Sequence, residues 1–261
     1  MQMTTRPLSG MRIVVTRCAD QAIILSKKLR NLGATTIEIP MIEIMPPMDT
    51  DSIDSSIRNL SKYDWIIFTS VHGVELFLQR MTILHIPVSC LSCVRIAAIG
   101  PATSAAIQSI GRSPDYVPSK FLSESIGTGL GSLQGKRVLL PRADVASKKL
   151  PLLLREKGAS VDEVVAYQTV VPPELDADRL KTVLESGVDL VIFTSPSTVR
   201  NFANALGYVS PAKDLSHVSI ACIGPVTAEA ARLLGMNVDV VANPHTIDSL
   251  VEAIVNDVRK L

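Results

Sequence analysis

Three short patterns of polar and small residues each occur twice in this chain of 261 residues, and all three can bind an anion. Serine and threonine hydroxyls donate hydrogen bonds, arginine supplies a positive charge, and glycine lets a ligand approach the backbone. A helix that begins at such a place adds unpaired N–H groups and a partial positive charge. The patterns are Phe-Thr-Ser at 68–70 and 193–195, Ile-Gly-Pro-x-Thr at 99–103 and 223–227, and Thr-Arg at 16–17 with Pro-Arg at 141–142.

The candidate binding residues in and beside these patterns are serines, threonines, glycines and arginines. For one hydroxyl taken alone, a helix cap is the favoured interpretation, because serine and threonine commonly cap helices. For the whole set at the ends of neighbouring strands, a binding site for an anionic ligand is the better interpretation. The candidates are Arg17, Thr69, Ser70, Gly100, Thr103, Arg142, Ser195, Ser197, Gly224 and Thr227.

Each Phe-Thr-Ser pattern ends an apolar, β-branched run that is too short to be a helix. The residues that follow can open a helix, so each run predicts a buried parallel strand that leads into a helix N-terminus. Phe68 and Phe193 are 125 residues apart, and the same step carries residues 10–17 onto residues 135–142. We therefore predict that a whole α/β unit is duplicated.

Strands and helices alternate along both copies, which predicts an α/β fold with parallel sheets covered by helices on both faces. In the second copy we expect a strand at 138–140 and a helix at 145–157. The segment 35–45 is extended but contains Pro40, so it is expected to be an edge strand or a crossing linker. Proline pairs follow this segment and its counterpart, which makes the two segments look like paired crossings between domains.

The composition excludes several broad functions. Lys and Arg number 26 against 25 Asp and Glu, so charge gives no support for binding to nucleic acid or to a membrane surface. No apolar run approaches the roughly 18 residues that a membrane-spanning helix needs. The first ten residues contain no apolar signal region, so a cytoplasmic protein is expected, with a removed organellar transit peptide as the open alternative.

Metal, nucleotide and hydrolase motifs are missing. Cys90 and Cys93 have the spacing of half a zinc site, but no second pair completes it, so no metal site is predicted. Cys18 follows a predicted strand end, where it could be exposed. Of the four histidines, His72 is the one expected at a strand end, and a surface or capping role is expected for each. The chain also lacks GxxxxGK[ST], GxGxxG, HExxH and GxSxG.

Seven segments follow one another along the chain: VVTR, IIFTSVHGV, AAIGPATSAA, VLLPRA, AYQT, VIFTSPSTVRNF and ACIGPVTAEAARLLG. In this order and spacing they resemble the uroporphyrinogen-III synthase family. One departure is Val71-His72-Gly73 after Ser70, where many relatives have proline directly after the serine, whereas Ser195-Pro196 keeps that proline. The resemblance covers nearly the whole chain, and the segments are specific as a set.

The resemblance implies two flavodoxin-like lobes joined by a two-stranded ladder. One lobe would comprise 1–37 and 172–261, and the other 46–164. The ladder would be formed by 38–45 and 165–171, the segments expected to cross between domains.

The resemblance also implies the reaction. The substrate would be hydroxymethylbilane, a linear tetrapyrrole, which is cyclised to uroporphyrinogen III with loss of water and inversion of its last ring, and neither a metal nor an organic cofactor would take part. Tyr167 resembles the family tyrosine that is proposed to assist departure of the hydroxyl. Alternatively, Tyr167 is a half-buried aromatic residue that braces the hinge. Thr227 matches the family's cleft threonine, with Thr103 as its counterpart. A monomer is expected, and hand-over of substrate from hydroxymethylbilane synthase stays an option.

Two alternatives come from other classes. A non-catalytic two-lobed sensor of a small anionic ligand would also contain two similar α/β lobes, but it would normally carry an export signal or a helix-turn-helix segment, and the sequence shows neither. A sugar-phosphate or nucleotide-sugar enzyme would need an acid and base pair, and no such pair stands out.

Overall fold

The computed structural model describes residues 6–207, 215 and 217–258. Strands and helices alternate along it. The chain begins with β1 (Arg12–Val15), α1 (Ala19–Asn31) and β2 (Thr35–Glu38). It continues with β3 (Glu43–Met45), α2 (Asp51–Arg58), β4 (Trp65–Phe68), α3 (Val71–Ile83), β5 (Arg95–Ala98), α4 (Pro101–Gln108), α5 (Ser123–Gly129), β6 (Arg137–Ala143), α6 (Lys149–Glu156) and β7 (Ser160–Val170). It ends with α7 (Ala177–Glu185), β8 (Leu190–Phe193), α8 (Pro196–Ala205), β9 (Ser219–Cys222), α9 (Pro225–Leu233), β10 (Val240–Val241) and α10 (Ile247–Val258).

The described residues form two compact units. The first contains the residues up to Glu43 and those from Val170 onward, and the second runs from Ile44 to Thr169. The chain therefore passes from one unit to the other inside the two segments expected to be crossings. The two-domain boundaries drawn from the sequence stay a prediction. No described helix combines the length and the hydrophobicity that a membrane span requires.

The first unit is built around a five-stranded sheet in the order β10-β9-β8-β1-β2. The pairs along it are parallel, and the order is that of flavodoxin-like folds. All four residues of β8 are buried. They alternate between two cores, with Val191 and Phe193 on one face and Leu190 and Ile192 on the other, because successive side chains of a strand point to opposite faces.

The second unit repeats this plan with a sheet in the order β3-β7-β6-β4-β5. Its strand pairs, from β7 through to β5, are parallel. β4 is buried throughout, and its residues also alternate, with Ile66 and Phe68 in one core and Trp65 and Ile67 in the other. An isolated parallel bridge between Ala97 and Tyr116 lies beside β5, where β10 lies beside β9 in the first unit. The prediction of parallel sheets covered on both faces is confirmed.

The duplication extends to individual hydrogen bonds. In the first unit the Arg12 amide donates to Asp189 Oδ2 at 2.7 Å. In the second unit the Arg137 amide donates to Asp64 Oδ2 at 2.9 Å. Arg12 and Arg137 are 125 residues apart, and so are Asp64 and Asp189. Each copy of the repeat therefore supplies the start of one strand to each unit. This bond is also the main reason that the pKa of Asp64 lies below its ordinary value, with a further contribution from Lys136.

The extended segment 35–45 divides into two edge strands. β2 lies at the edge of the first sheet and β3 at the edge of the second, with Pro40 between them, so the expectation of an edge position is confirmed. The bounds predicted for the strand and the helix at the start of the second copy were wrong. β6 continues through Pro141 to Ala143, because β7 pairs with it over that whole length. α6 begins at Lys149, four residues later than expected.

Candidate functional site

The Phe-Thr-Ser corner of the second unit is a helix cap. Ser70 is the N-cap of α3, with extended backbone angles of φ −161° and ψ 158°. Its Oγ accepts a hydrogen bond from the Gly73 amide at 3.0 Å. This bond satisfies one of the N–H groups that the first helical turn leaves without a backbone partner. Thr69, between the strand and the cap, is half-buried.

Tyr167 lies at the same corner. Its hydroxyl donates to Ser70 Oγ at 2.9 Å, and its ring meets the His72 ring edge-on with the centroids 6.0 Å apart. A β-bulge in β7 aims this side chain, since Ala143 of β6 pairs with Tyr167 although Arg142 pairs with Val165. Ser70 and Tyr167 were predicted as site residues from separate motifs, and in the structure their hydroxyls are hydrogen-bonded.

Asp144, which no sequence motif marks, holds the bulge in place. Its amide donates to the Tyr167 carbonyl at 3.1 Å. Its Oδ1 accepts from the Val145 amide at 2.9 Å and from the Thr169 amide at 3.1 Å. Asp144 therefore anchors the backbone at Tyr167 and two residues beyond it. Only the position directly after the Pro-Arg pattern could have pointed to this residue.

Arg142 lies within β6 and is buried, so its expected place beyond the strand end was wrong. Its guanidinium donates to the Ser147 carbonyl and lies 3.5 Å from Glu163. Its Nε and Nη1 are buried and make no hydrogen bond with any described residue. Burial lowers the pKa of Arg142, and the nearby Glu163 opposes that shift. The strand register, which continues the sheet beyond Pro141, accounts for this burial.

Glu163 forms ion pairs with three cations, a role that the sequence did not reveal. Besides Arg142, it contacts Lys148 at 3.1 Å and Arg155 at 3.0 Å. Burial acts to raise the pKa of Glu163, but hydrogen bonds from Lys148 and Arg155 hold it below its ordinary value. The carboxylate therefore stays charged and compensates part of the positive charge around Arg142.

The Ile-Gly-Pro-x-Thr corner of the second unit begins α4. Pro101 is the first helical residue, a position that needs no N–H donor. Thr103 is buried, and its hydroxyl makes no hydrogen bond within the described part of the chain. The space beside Gly100 is filled by an aromatic ring. A Cβ there would lie 3.2 Å from Cγ of Phe121, so the Phe121 ring occupies the space that the glycine leaves.

The first unit carries the matching caps. Ser195 is the N-cap of α8, with φ −159° and ψ 157°, and its Oγ accepts from the Thr198 amide at 3.2 Å. The Thr198 hydroxyl returns to the backbone of Ser195, which completes a capping box. Ser197, in the first turn, accepts a long hydrogen bond of 3.4 Å from Arg200. The hydroxyls of Ser195 and Ser197 thus have local partners.

The second Ile-Gly-Pro-x-Thr corner begins α9. Thr227 is buried, and its hydroxyl makes no hydrogen bond to another described residue. A Cβ on Gly224 would lie 3.1 Å from the His245 ring. His245 therefore lies at this corner, so the expectation that His72 alone occupies a strand end was wrong. Its place just after β10 was the signal that could have identified it.

The corner after β1 is tied to β8. The buried Thr16 hydroxyl donates to the Ile192 carbonyl at 2.7 Å. Arg17 is half-buried and donates to Gln21, and burial lowers its pKa although Cys18 and Asp20 oppose the shift. Cys18 is buried, so the suggestion that it could be exposed was wrong. Burial, with Asp20, raises the pKa of Cys18 to about 12, which keeps it as a thiol at neutral pH.

Each unit therefore gathers its own set of candidates at the carboxyl ends of a parallel sheet, where folds of this kind bind ligands. The second unit holds Thr69, Ser70, Gly100, Thr103, Arg142 and Tyr167. The first unit holds Arg17, Ser195, Ser197, Gly224 and Thr227.

The comparisons with known proteins agree on one family. The family model described as HEM4, uroporphyrinogen-III synthase HemD, matches residues 24–252. The uroporphyrinogen-III synthase of Synechococcus elongatus is 34% identical over 258 residues, which cover 97% of this chain and 97% of that protein. The uroporphyrinogen-III synthase of Chlorobaculum parvum is 29% identical over 248 residues and covers 93% of this chain, with 97% of its own length matched.

Solved structures support the fold. A mutant uroporphyrinogen III synthase from the extremely thermophilic bacterium Thermus thermophilus has a TM-score of 0.69 at 19% identity and covers 97% of this chain and 100% of that chain. The corresponding Helicobacter pylori structure has a TM-score of 0.59 at 17% identity, with 94% and 99% coverage. At these identities the likeness establishes a shared two-lobed α/β fold. Because the family model spans most of the chain and a relative of 34% identity covers nearly all of it, the chain belongs to the uroporphyrinogen-III synthase family.

Proposed function

We propose that this protein cyclises hydroxymethylbilane to uroporphyrinogen III, with loss of water and inversion of the last pyrrole ring. The observation that carries the proposal is the repeated corner. In each unit, a serine-capped helix and a proline-led helix with a buried threonine begin at the carboxyl ends of a parallel sheet. The family membership supports this reaction, and it gives no support to the alternative of a non-catalytic sensor.

The proposed binding mode uses backbone N–H groups and a few side chains. A tetrapyrrole carries many carboxylates, and helix N-termini bind anions without a large net positive charge. Hydroxyls that make no hydrogen bond to another described residue are the best candidates for direct contact, which favours Thr103 and Thr227. Ser70 and Ser195 already use their hydroxyls as caps, so we assign their corners to binding through the backbone. Arg17, Thr69, Gly100, Arg142, Ser197 and Gly224 complete the proposed substrate-binding set.

Tyr167 is the proposed general acid. Departure of the hydroxyl from the substrate is assisted when a donor transfers a proton to the leaving oxygen. The phenol of Tyr167 can do so, and its backbone is fixed by the bulge and by Asp144. The protein must also hold the flexible substrate in a conformation in which the last ring inverts. This must happen before the two ends of the tetrapyrrole join without inversion.

The wider setting belongs to the same proposal. We infer a cytoplasmic monomer that acts on a small tetrapyrrole and binds neither nucleic acid nor membrane, and we keep hand-over from hydroxymethylbilane synthase as an option. Sedimentation of the purified protein alone and with hydroxymethylbilane synthase tests the monomeric state and the hand-over complex together.

Complementation tests the function in a cell. A bacterial strain without its own uroporphyrinogen-III synthase should regain growth without added haem when it expresses this chain. A Thr103→Ala, Thr227→Ala, Tyr167→Phe triple variant, expressed at the same level, should not restore growth to the same extent. Failure of the unmodified chain to restore growth, despite good expression, would count against the proposal.

A further inference from the structure

The two serine caps have the same backbone but different surroundings. Ser70 and Ser195 are 125 residues apart, and their φ and ψ angles agree within a few degrees. Each Oγ accepts a hydrogen bond from the third residue of its helix, Gly73 in one case and Thr198 in the other. Any difference between them therefore arises from side chains and not from the shape of the cap.

The first difference is the third helical residue. In the first unit the Thr198 hydroxyl completes the capping box with the backbone of Ser195. In the second unit this residue is Gly73, which has no side chain. A Cβ at Gly73 would lie 3.0 Å from Ser70 Oγ, and the glycine therefore leaves the serine oxygen open on that side.

The second difference is the tyrosine. The Tyr167 hydroxyl lies 2.9 Å from Ser70 Oγ. The residue 125 positions before Tyr167 is Ile42, which has no hydroxyl to offer to the first unit. The duplication has thus produced two equivalent caps, and the second unit has the one that contacts the proposed general acid.

Either hydroxyl can donate the hydrogen bond between Ser70 and Tyr167, and the choice decides where the phenol proton goes. A serine hydroxyl has one hydrogen to donate and two lone pairs that can accept. The Gly73 amide uses one lone pair of Ser70, which fixes the oxygen while its hydrogen can still rotate. With Tyr167 as the donor, its proton is committed to Ser70. With Ser70 as the donor, the phenol proton is no longer given to Ser70 and can be transferred to the substrate.

We propose that Ser70 is a positioning residue for Tyr167, and this proposal rests on the proposed function. When substrate binds, the hydrogen bond reverses and Ser70 donates to the phenolic oxygen. The O–H bond of Tyr167 then breaks as the C–O bond of the hydroxymethyl group breaks, and the two fragments form water. Ser70 stabilises the resulting phenolate. The proton that the terminal pyrrole carbon loses at ring closure restores the phenol, so the protons balance.

A double-mutant cycle tests the proposal. The variants are Ser70→Gly, Ser70→Thr, Tyr167→Phe and the Ser70→Gly, Tyr167→Phe pair. Glycine is chosen because it keeps most of the stability of an N-cap while it removes the hydroxyl. We expect Ser70→Gly to lower kcat about tenfold with little change in KM, as for the loss of one hydrogen bond made in the transition state. Ser70→Thr should recover most of the rate.

The decisive arm is the double variant. If Ser70 acts through Tyr167, removing the Ser70 hydroxyl should cost no further rate once the tyrosine hydroxyl is absent. Losses that simply multiply would overturn the proposal, as would a Ser70→Gly variant that changes KM or melting temperature alone. Asp176→Ala is the matched control, since it removes the N-cap of α7 and should lower the melting temperature while turnover is kept.

A magnetic resonance measurement, which does not depend on turnover, accompanies the double-mutant cycle. The magnetic resonance signal of the hydroxyl-bearing ring carbon of Tyr167, assigned with Tyr167→Phe, should shift in Ser70→Gly and stay near its original position in Ser70→Thr. An unchanged signal in Ser70→Gly would overturn the contact itself. Wild-type protein that forms no type III isomer would instead refute the proposed function, and with it the role of Ser70.

Discussion

Thr103 and Thr227 occupy the same position of two matched helices, because each is the third residue of its helix. Each helix has a glycine as its N-cap and a proline as its first residue. The two threonines are 3% and 4% exposed. Among the described residues, neither hydroxyl makes a hydrogen bond. Thr198, the third residue of α8, instead uses its hydroxyl in a capping box. The pair is therefore better placed than the serine caps to donate to a ligand.

We expect Thr227→Ala to lower turnover by roughly ten- to a hundredfold, as follows from the loss of a hydrogen bond worth about 1–3 kcal/mol in the transition state. Thr227→Ser should retain most of the rate because it keeps the hydroxyl. Thr182→Ala, which removes a helix-surface hydroxyl bonded to the Asp178 carbonyl, is the control and should leave turnover unchanged. Full activity in Thr227→Ala with a lower melting temperature would make Thr227 a structural residue.

Tyr167→Phe should also reduce turnover by roughly ten- to a hundredfold without unfolding the protein. The matched control is Tyr63→Phe, which removes another hydroxyl, bonded to Asp162 at 2.8 Å. That control should change stability and keep turnover. Equal turnover in wild type and Tyr167→Phe would show that the tyrosine braces the structure and donates no proton.

Gly129→Ala should destabilise the second unit, although glycine to alanine in a helix is usually favourable. A Cβ at this position would lie 1.7 Å from the Tyr116 hydroxyl and 2.5 Å from the ring carbon that bears it. We expect a loss of about 1–3 kcal/mol from overpacking, measured by denaturant unfolding. Adding Tyr116→Ala should relieve the clash, and a Gly129→Ala variant as stable as wild type would contradict the packing described here.

The ion pair between Asp54 and Arg80 should make stability depend on acid pH. Hydrogen bonds from Arg80 hold the pKa of Asp54 below its ordinary value. The folded state therefore binds this proton less tightly than the unfolded state. The contribution is complete above the ordinary aspartate pKa of about 3.9 and is lost as the pH falls through the lower folded pKa.

We accordingly expect Asp54→Asn to cost on the order of 1 kcal/mol at neutral pH, since solvent screens the pair, and to cost less as the solution becomes more acidic. Unfolding in urea over a series of pH values measures this. Glu252→Gln is the control, because this exposed residue of α10 makes no ion pair with any described residue. A difference between wild type and Asp54→Asn that is constant with pH would contradict the assignment.

Local sequence signals predicted the strands and the repeat well. The runs before Phe68 and Phe193 became buried central strands, because a short apolar segment covered on both faces leaves few other options. The step of 125 residues correctly paired the two serine caps. Pro40 correctly marked the edges of both sheets, since proline cannot donate to a central strand.

The contacts between distant residues could not be predicted in the same way. The bond between Ser70 and Tyr167 depends on a bulge of one residue in β7, and nothing in the local composition marks that bulge. Arg142 was expected beyond a strand end, but the register of β6 with β7 buries it. The contact between Gly100 and the Phe121 ring joins two residues that no local pattern links.

The most direct test of the account is incubation of the purified protein with freshly prepared hydroxymethylbilane, followed by oxidation and chromatographic separation of the uroporphyrin isomers. A parallel incubation without protein gives the isomer produced by unassisted closure. We predict mainly the type III isomer with the protein present, at a yield that rises with protein concentration. A product consisting of the type I isomer alone, as in the protein-free incubation, would contradict the central claim.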